Sequence, residues 1–184
     1  MSDMNIFILD ENPITAAKYM DDVRVPKMVV ETAQMMASAL RRHGATDEQM
    51  PLTQKGTPYK GGYHNHPCTV WTGDSLNNFL WLYQHGVALG QQYCKRFGKE
   101  HACYGPILHM GCMSYLITTT GLTPFAQAMP DEYRNDDAVV AYRNYYKSKA
   151  HSKGGVKYRR AEVPPWWDDG EYLYGIKYEV SIDV

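Results

Sequence analysis

The sequence predicts a mainly α fold: a compact single-domain helical bundle in which a short N-terminal strand pairs with a C-terminal strand. Three observations carry that prediction. Apolar or small residues at Leu76, Leu80, Tyr83, Val87, Gly90, Cys94 and Phe97 fall at a 4-3 spacing, which lays one stripe along a long helix. A second stripe, Val29, Ala33, Met36 and Leu40, lies between Pro26 and Gly44. Clean period-two alternation occurs only in the tail, residues 172–184, whose one comparable partner is the apolar run 5–9. The 184 residues suffice for one domain with a sizeable core. Its helical body spans about 12–150 and a Trp/Tyr-rich extension about 151–184.

Each element has its local reasons. Residues 5–9 (Asn-Ile-Phe-Ile-Leu) are too short for a helix and rich in strand formers. Asn12 then caps a helix that opens with Pro13 and turns Ile14, Ala17 and Met20 to one side. Asp21, Asp22 and Arg24 cluster at its end, where carboxylates oppose the helix dipole. In the helix that Pro26 starts, Met28, Thr32, Met35 and Ala39 widen the stripe, with the methionines filling gaps in the core. Residues 45–62 form a long polar loop rich in Gly, Pro, Thr and Lys.

A His-rich entry loop (Y-H-N-H-P-C, residues 63–68) leads into the central helix, with Asp74 as N-cap and Gly98 as the left-handed terminator. Gly86 and Gly90 each cost roughly 1 kcal/mol of helix propensity against alanine, so a neighbour packs close to the backbone there. Thr123 and Pro124 begin a short helix that Met129 and Pro130 close. Asn135 caps a last helix bearing Ala138, Ala141, Tyr142 and Tyr145 on one face.

Composition excludes several classes. The chain is 44% hydrophobic and 21% charged, as a globular protein is. No apolar run approaches the ~20 residues of a membrane span and no secretory signal is evident, so the expected location is cytoplasmic. Cys68, Cys94, Cys103 and Cys112 form no C-x-x-C pair and read as reduced thiols. A net charge of −1 allows nucleic-acid binding only if the charges segregate. Phosphate-binding, dinucleotide, serine-hydrolase and zinc-protease signatures are all missing.

Two constellations remain. His64, His66 and Cys68 carry metal-ligand chemistry, but their spacing is no established zinc signature. A histidine here also suits capping a helix or meeting an anion at its N-terminus. The run from Tyr142 to Lys149 interleaves aromatics with cations, so it either stacks bases while neutralising phosphates or packs its rings into the core.

Residues 17–25, A-K-Y-M-D-D-V-R-V, resemble the A-x-Y-x-E-x-x-R-V segment of the phage-type pyrimidine-dimer DNA glycosylases with abasic-site lyase activity. In order with it, the chain's start, the N-H-P run at 65–67, the K-R-F-G run at 95–98 and Tyr142-Arg-Asn-Tyr-Tyr-Lys147 are similar to other parts of that family. N-H-P-C-T-V-W, T-P-F-A-Q-A-M-P and A-Y-R-N-Y-Y together resemble a distant, phage-encoded branch. Residues from His151 onward lie outside the resemblance.

The resemblance implies a DNA-base glycosylase and abasic-site lyase acting on damaged or modified pyrimidines in double-stranded DNA, through an imine and without metal or organic cofactor. By position, Ser2 supplies the nucleophilic α-amine once Met1 is removed, Asp21 the carboxylate, and Arg24 a phosphate grip. His64, His66, Tyr142, Arg143, Tyr145, Tyr146 and Lys147 contact DNA. Asp21 stands where the family has Glu, one methylene longer, and Asp3 and Asp22 add negative charge. A start at Met4 would give the amine to another residue. A second reading, a non-catalytic nucleic-acid- or protein-binding protein on the same fold, stays open beside the first, as does the oligomeric state.

Overall fold

A computed structural model describes residues 4–152, 155–167 and 177–179. Six α-helices dominate them: α1 (Pro13–Lys18), α2 (Arg24–Arg42), α3 (Pro67–Asp74), α4 (Leu76–Phe97), α5 (Tyr104–Gly111) and α6 (Ala138–Ser152). One-turn 3-10 helices cover Ser114–Leu116 and Asp131–Tyr133. The mainly helical prediction stands. Among the described residues, no helix is long and apolar enough to cross a membrane.

The N-cap of α1 is as expected: Asn12 Oδ1 accepts from the amides of Ile14 and Thr15, with Pro13 in the first turn. Helix α2 starts at Arg24 rather than Pro26, because the Asp21 carbonyl already receives the amides of Arg24 and Val25. Its expected stripe, Val29, Ala33, Met36 and Leu40, is fully buried and packs against α3, α4 and α5.

The central helix needs two corrections. Asp74 is not its cap but the last residue of α3, a separate helix, and it pairs with Arg42 at 2.9 Å. Ser75 caps α4 through its hydroxyl to Asn78 N. The buried face is also rotated from the expected stripe: Asn78, Phe79, Leu82, His85, Gly86 and Leu89 face inward, whereas Leu80, Tyr83 and Val87 are only partly covered and Cys94 is exposed. The glycine argument holds. A Cβ on Gly86 would come within 2.5 Å of Thr32 of α2, and one on Gly90 within 2.2 Å of the Tyr104 ring. Gly98 ends the helix in the left-handed region, at φ 72°.

No helix forms over residues 123–130; that stretch has no regular secondary structure and is tied to Asn78 by the Thr123 amide and hydroxyl. Asp137, not Asn135, caps α6, accepting from Val139 N and Val140 N.

Among the described residues, 5–9 form no strand and no pairing with the tail is seen. Ile6, Phe7, Ile8 and Leu9 are all buried, so the segment threads the core rather than lining one face of a sheet. Side chains take three of its amides, Asn5 N at Glu31 and Ile6 N and Phe7 N at Asn5 Oδ1, while Leu9 N donates to Phe7 O; Phe7 has a positive φ of 54°, which breaks strand geometry. The tail's described piece, Lys177–Glu179 (β2), instead lies parallel to Lys157–Arg159 (β1). The rest of the expected tail strand, 172–176 and 180–184, lies outside the described residues.

Candidate active site

The turn between α1 and α2 holds two buried acids. Asp21 is 1% exposed. Its Oδ1 receives the Tyr146 hydroxyl in a short hydrogen bond and Arg24 Nη1 at 3.0 Å, while Oδ2 receives Val23 N at 3.3 Å. Tyr146 Oη also accepts the Asp21 amide at 2.8 Å. The Arg24 guanidinium lies 4.6 Å from the Tyr146 ring centre and 5.7 Å from that of Phe7. Burial opposes its charge, but Tyr146 and Asp21 together outweigh burial and raise its pKa. Burial first, then Asp21, pushes the Tyr146 phenol well above its ordinary value, so it stays a donor.

Asp22 faces the other way. Arg96, itself 1% exposed, reaches it at 3.2 Å and also donates to the carbonyls of Met20 at 2.7 Å and Lys18 at 3.1 Å. Both Asp22 oxygens accept Arg159 N at 3.0 Å, and Asp22 N donates to Lys157 O at 2.8 Å. This acid fastens the C-terminal extension onto the helical body. Tyr158 Oη, bonded to Tyr19 O and to the Trp167 indole, continues the seam.

A third acid went unnoticed in the sequence. Glu31 of α2 is 4% exposed; its Oε2 accepts the Asn5 main-chain N–H at 2.9 Å and its Oε1 lies 3.4 Å from Lys27. The residues around Asn5 come from three further elements. Cys68 Sγ of α3 lies 3.9 Å from Asn5 Oδ1, Thr69 of the same helix donates to Met4, and Asn5 Nδ2 reaches Ala128 O at 2.8 Å. Tyr142 of α6 closes the group through Cys68. The only sequence signal for Glu31 was an acid three residues after Met28 and four before Met35, on the buried side of α2.

The expected DNA-contacting residues separate into three sets. Tyr142 and Tyr146 are fully buried, so as folded neither presents a ring to a base. Tyr142 Oη instead donates to Ala126 O at 2.5 Å. Arg143, Tyr145 and Lys147 keep partial exposure on α6. Arg143 donates to Leu9 O at 2.9 Å, Tyr145 stacks on Phe7 with centroids 6.0 Å apart, and Lys147 Nζ lies 6.0 Å from the Trp166 ring.

His64 is exposed, and His66 caps α3 by accepting Cys68 N on Nδ1, with burial lowering its pKa. The Cys68 thiol is buried and pushed up to about 12, hence no thiolate at neutral pH. Among the described residues, His, Cys, Asp and Glu nowhere gather three together as a metal would need. Ser2 lies outside the described residues. The structure therefore joins Asp21, Arg24 and Tyr146 into one network that Phe7 links to the N-terminal segment, and sets Glu31 beside Asn5.

The family model for pyrimidine dimer DNA glycosylases matches residues 4–104, more than half of the chain. No curated protein and no solved structure matches. The matched stretch contains Asp21, Arg24, Glu31, His64 and His66, and it stops before α6. By this match the chain belongs to the pyrimidine dimer DNA glycosylase family.

Proposed function

We propose that this DNA glycosylase acts on damaged or modified pyrimidines in duplex DNA through an imine formed by its N-terminal amine, and then cleaves the abasic site as a lyase. An α-amine has a pKa near 8, so a fraction of it is unprotonated and nucleophilic at neutral pH. It adds to C1′ as the N-glycosidic bond breaks, and the base leaves with the bonding pair and takes up a proton. Loss of the amine proton and opening of the sugar ring, with protonation of O4′, give the imine. Removal of a C2′ proton then expels the 3′ phosphate. Each step moves a proton beside a cation, which is work for a nearby carboxylate.

The observation that carries this reading is the hydrogen bond from Asn5 N to buried Glu31. Only three residues separate the amine of Ser2 from that nitrogen, a tether of at most roughly 11 Å. We assign the proton-transfer role to Glu31 and a positioning role to Asp21, whose two oxygens are committed to Tyr146, Arg24 and Val23. Arg143, Tyr145 and Lys147 are the α6 residues placed to meet the strand. The test is borohydride trapping on duplex DNA with an abasic site, with the N-terminal residue of the purified protein fixed by intact mass. A covalent adduct mapping to that residue is expected. DNA binding without any adduct would favour the non-catalytic reading.

A further inference from the structure

A cleft of about 490 Å³ lies between the helical body and the C-terminal extension, with Tyr19 in its lining. Lys18 at the end of α1 and Lys95 in the last turn of α4 border it, with Tyr19 and Gln92 beside them; the opposite wall is Glu162 and Val163. Lysines at helix C-termini commonly answer the helix dipole. Here that work is done otherwise. Arg96 takes the carbonyls of Lys18 and Met20, and Gly98 N takes that of Cys94. Both lysines are exposed, and among the described residues neither has a salt-bridge partner. Two cations against one carboxylate leave the rim positive.

The interior suits a ring. Tyr19 and Val163 are partly buried, and Trp166 stands edge-on to Tyr19 at 6.0 Å. Small-ligand clefts are typically about 300–1,000 Å³ with apolar walls and a few placed polar groups, and this one fits a single nucleotide. Tyr19 is two residues from Asp21, which connects the cleft lining to the acid network along the chain.

Resting on the glycosylase reading above, we propose that this cleft binds one nucleotide of the DNA strand flanking the target, its phosphodiester held by Lys18 and Lys95 and its base against Tyr19. The extension beyond the family-matched residues would thus complete a DNA subsite rather than only cover the body. The test is the salt dependence of affinity for a duplex carrying a reduced abasic analogue, read by fluorescence anisotropy. Each lost phosphate contact lowers the slope of log K against log salt by about 0.9. Lys18→Gln with Lys95→Gln, which together release that one phosphate, should therefore lower it by about 0.9, whereas Lys55→Gln, in the polar loop, should leave it unchanged. Val163→Trp, which fills the cleft without changing charge, should weaken binding at least fivefold. An unchanged slope in the double variant, or wild-type affinity in Val163→Trp, overturns the proposal. Failure of wild-type protein to trap on abasic DNA sinks the chemistry instead, and leaves the slope result to judge the cleft alone.

Discussion

Asp21 and Glu31 are both acids inside the same region of the fold, yet they are held in opposite ways. Around Asp21 every oxygen is committed: a phenol, a guanidinium and an amide fix it, and its own backbone starts α2. Glu31 instead holds the backbone of the N-terminal segment, through Asn5 N. In the proposed reaction, a carboxylate held wholly by the turn it stabilises would position, and one bonded to the segment that leads to the N-terminal amine would move protons. The contrast sets position along a motif against the identity of the hydrogen-bond partners as guides to role.

Four substitutions test that contrast, from the largest expected effect downward. Glu31→Gln should lower the rate of trapping on abasic DNA by about 10²–10⁴-fold, the usual worth of general acid–base assistance, with little change in melting temperature. Comparable rates in wild type and variant would move the proton-transfer role off Glu31. Asp21→Asn should do the reverse: stability falls by about 3 kcal/mol, because buried Arg24 loses its counter-charge, while trapping of the folded fraction changes less than tenfold. A loss of trapping at unchanged stability would restore Asp21 to catalysis.

The third concerns pH. Buried His85 donates from Nδ1 to Pro13 O, and burial lowers its pKa to about 4. Since the folded value lies below the unfolded one of about 6.5, the unfolded state takes up its proton first. Stability is therefore whole above pH 6.5 and falls as pH drops from there toward 4, by up to about 3 kcal/mol. His85→Leu should flatten that part of the stability–pH curve, and an unchanged slope would assign the acid sensitivity to other groups. The smallest effect is Tyr146→Phe, which deletes the hydroxyl shared by Asp21's carboxylate and amide; urea unfolding should register a loss of about 1–3 kcal/mol. Equal stability would mean that the Asp21 network does not depend on that hydroxyl.

Much of the scaffold could be read from the chain itself. The Asn12-Pro13 start, the α2 stripe and the Gly98 terminator are local matters, set by capping chemistry, periodicity and the left-handed freedom of glycine. Even the close approaches at Gly86 and Gly90 were legible, because two glycines in a long helix need a reason.

What the chain could not disclose alone is which polar groups find partners inside. The α4 stripe was misplaced because its true inner face carries Asn78, His85 and Arg96, residues that read as solvent-facing until Trp71 O and Thr123, Pro13 O, and Asp22 are there to satisfy them. The same holds for the expected DNA surface, where Tyr142 and Tyr146 turned inward to bond Ala126 and Asp21. Local sequence sets helices and their ends through neighbours a few residues apart. Burial of Glu31, Asp22 and Arg96 depends on partners distant in the chain, and only the assembled tertiary structure brings those within hydrogen-bonding distance.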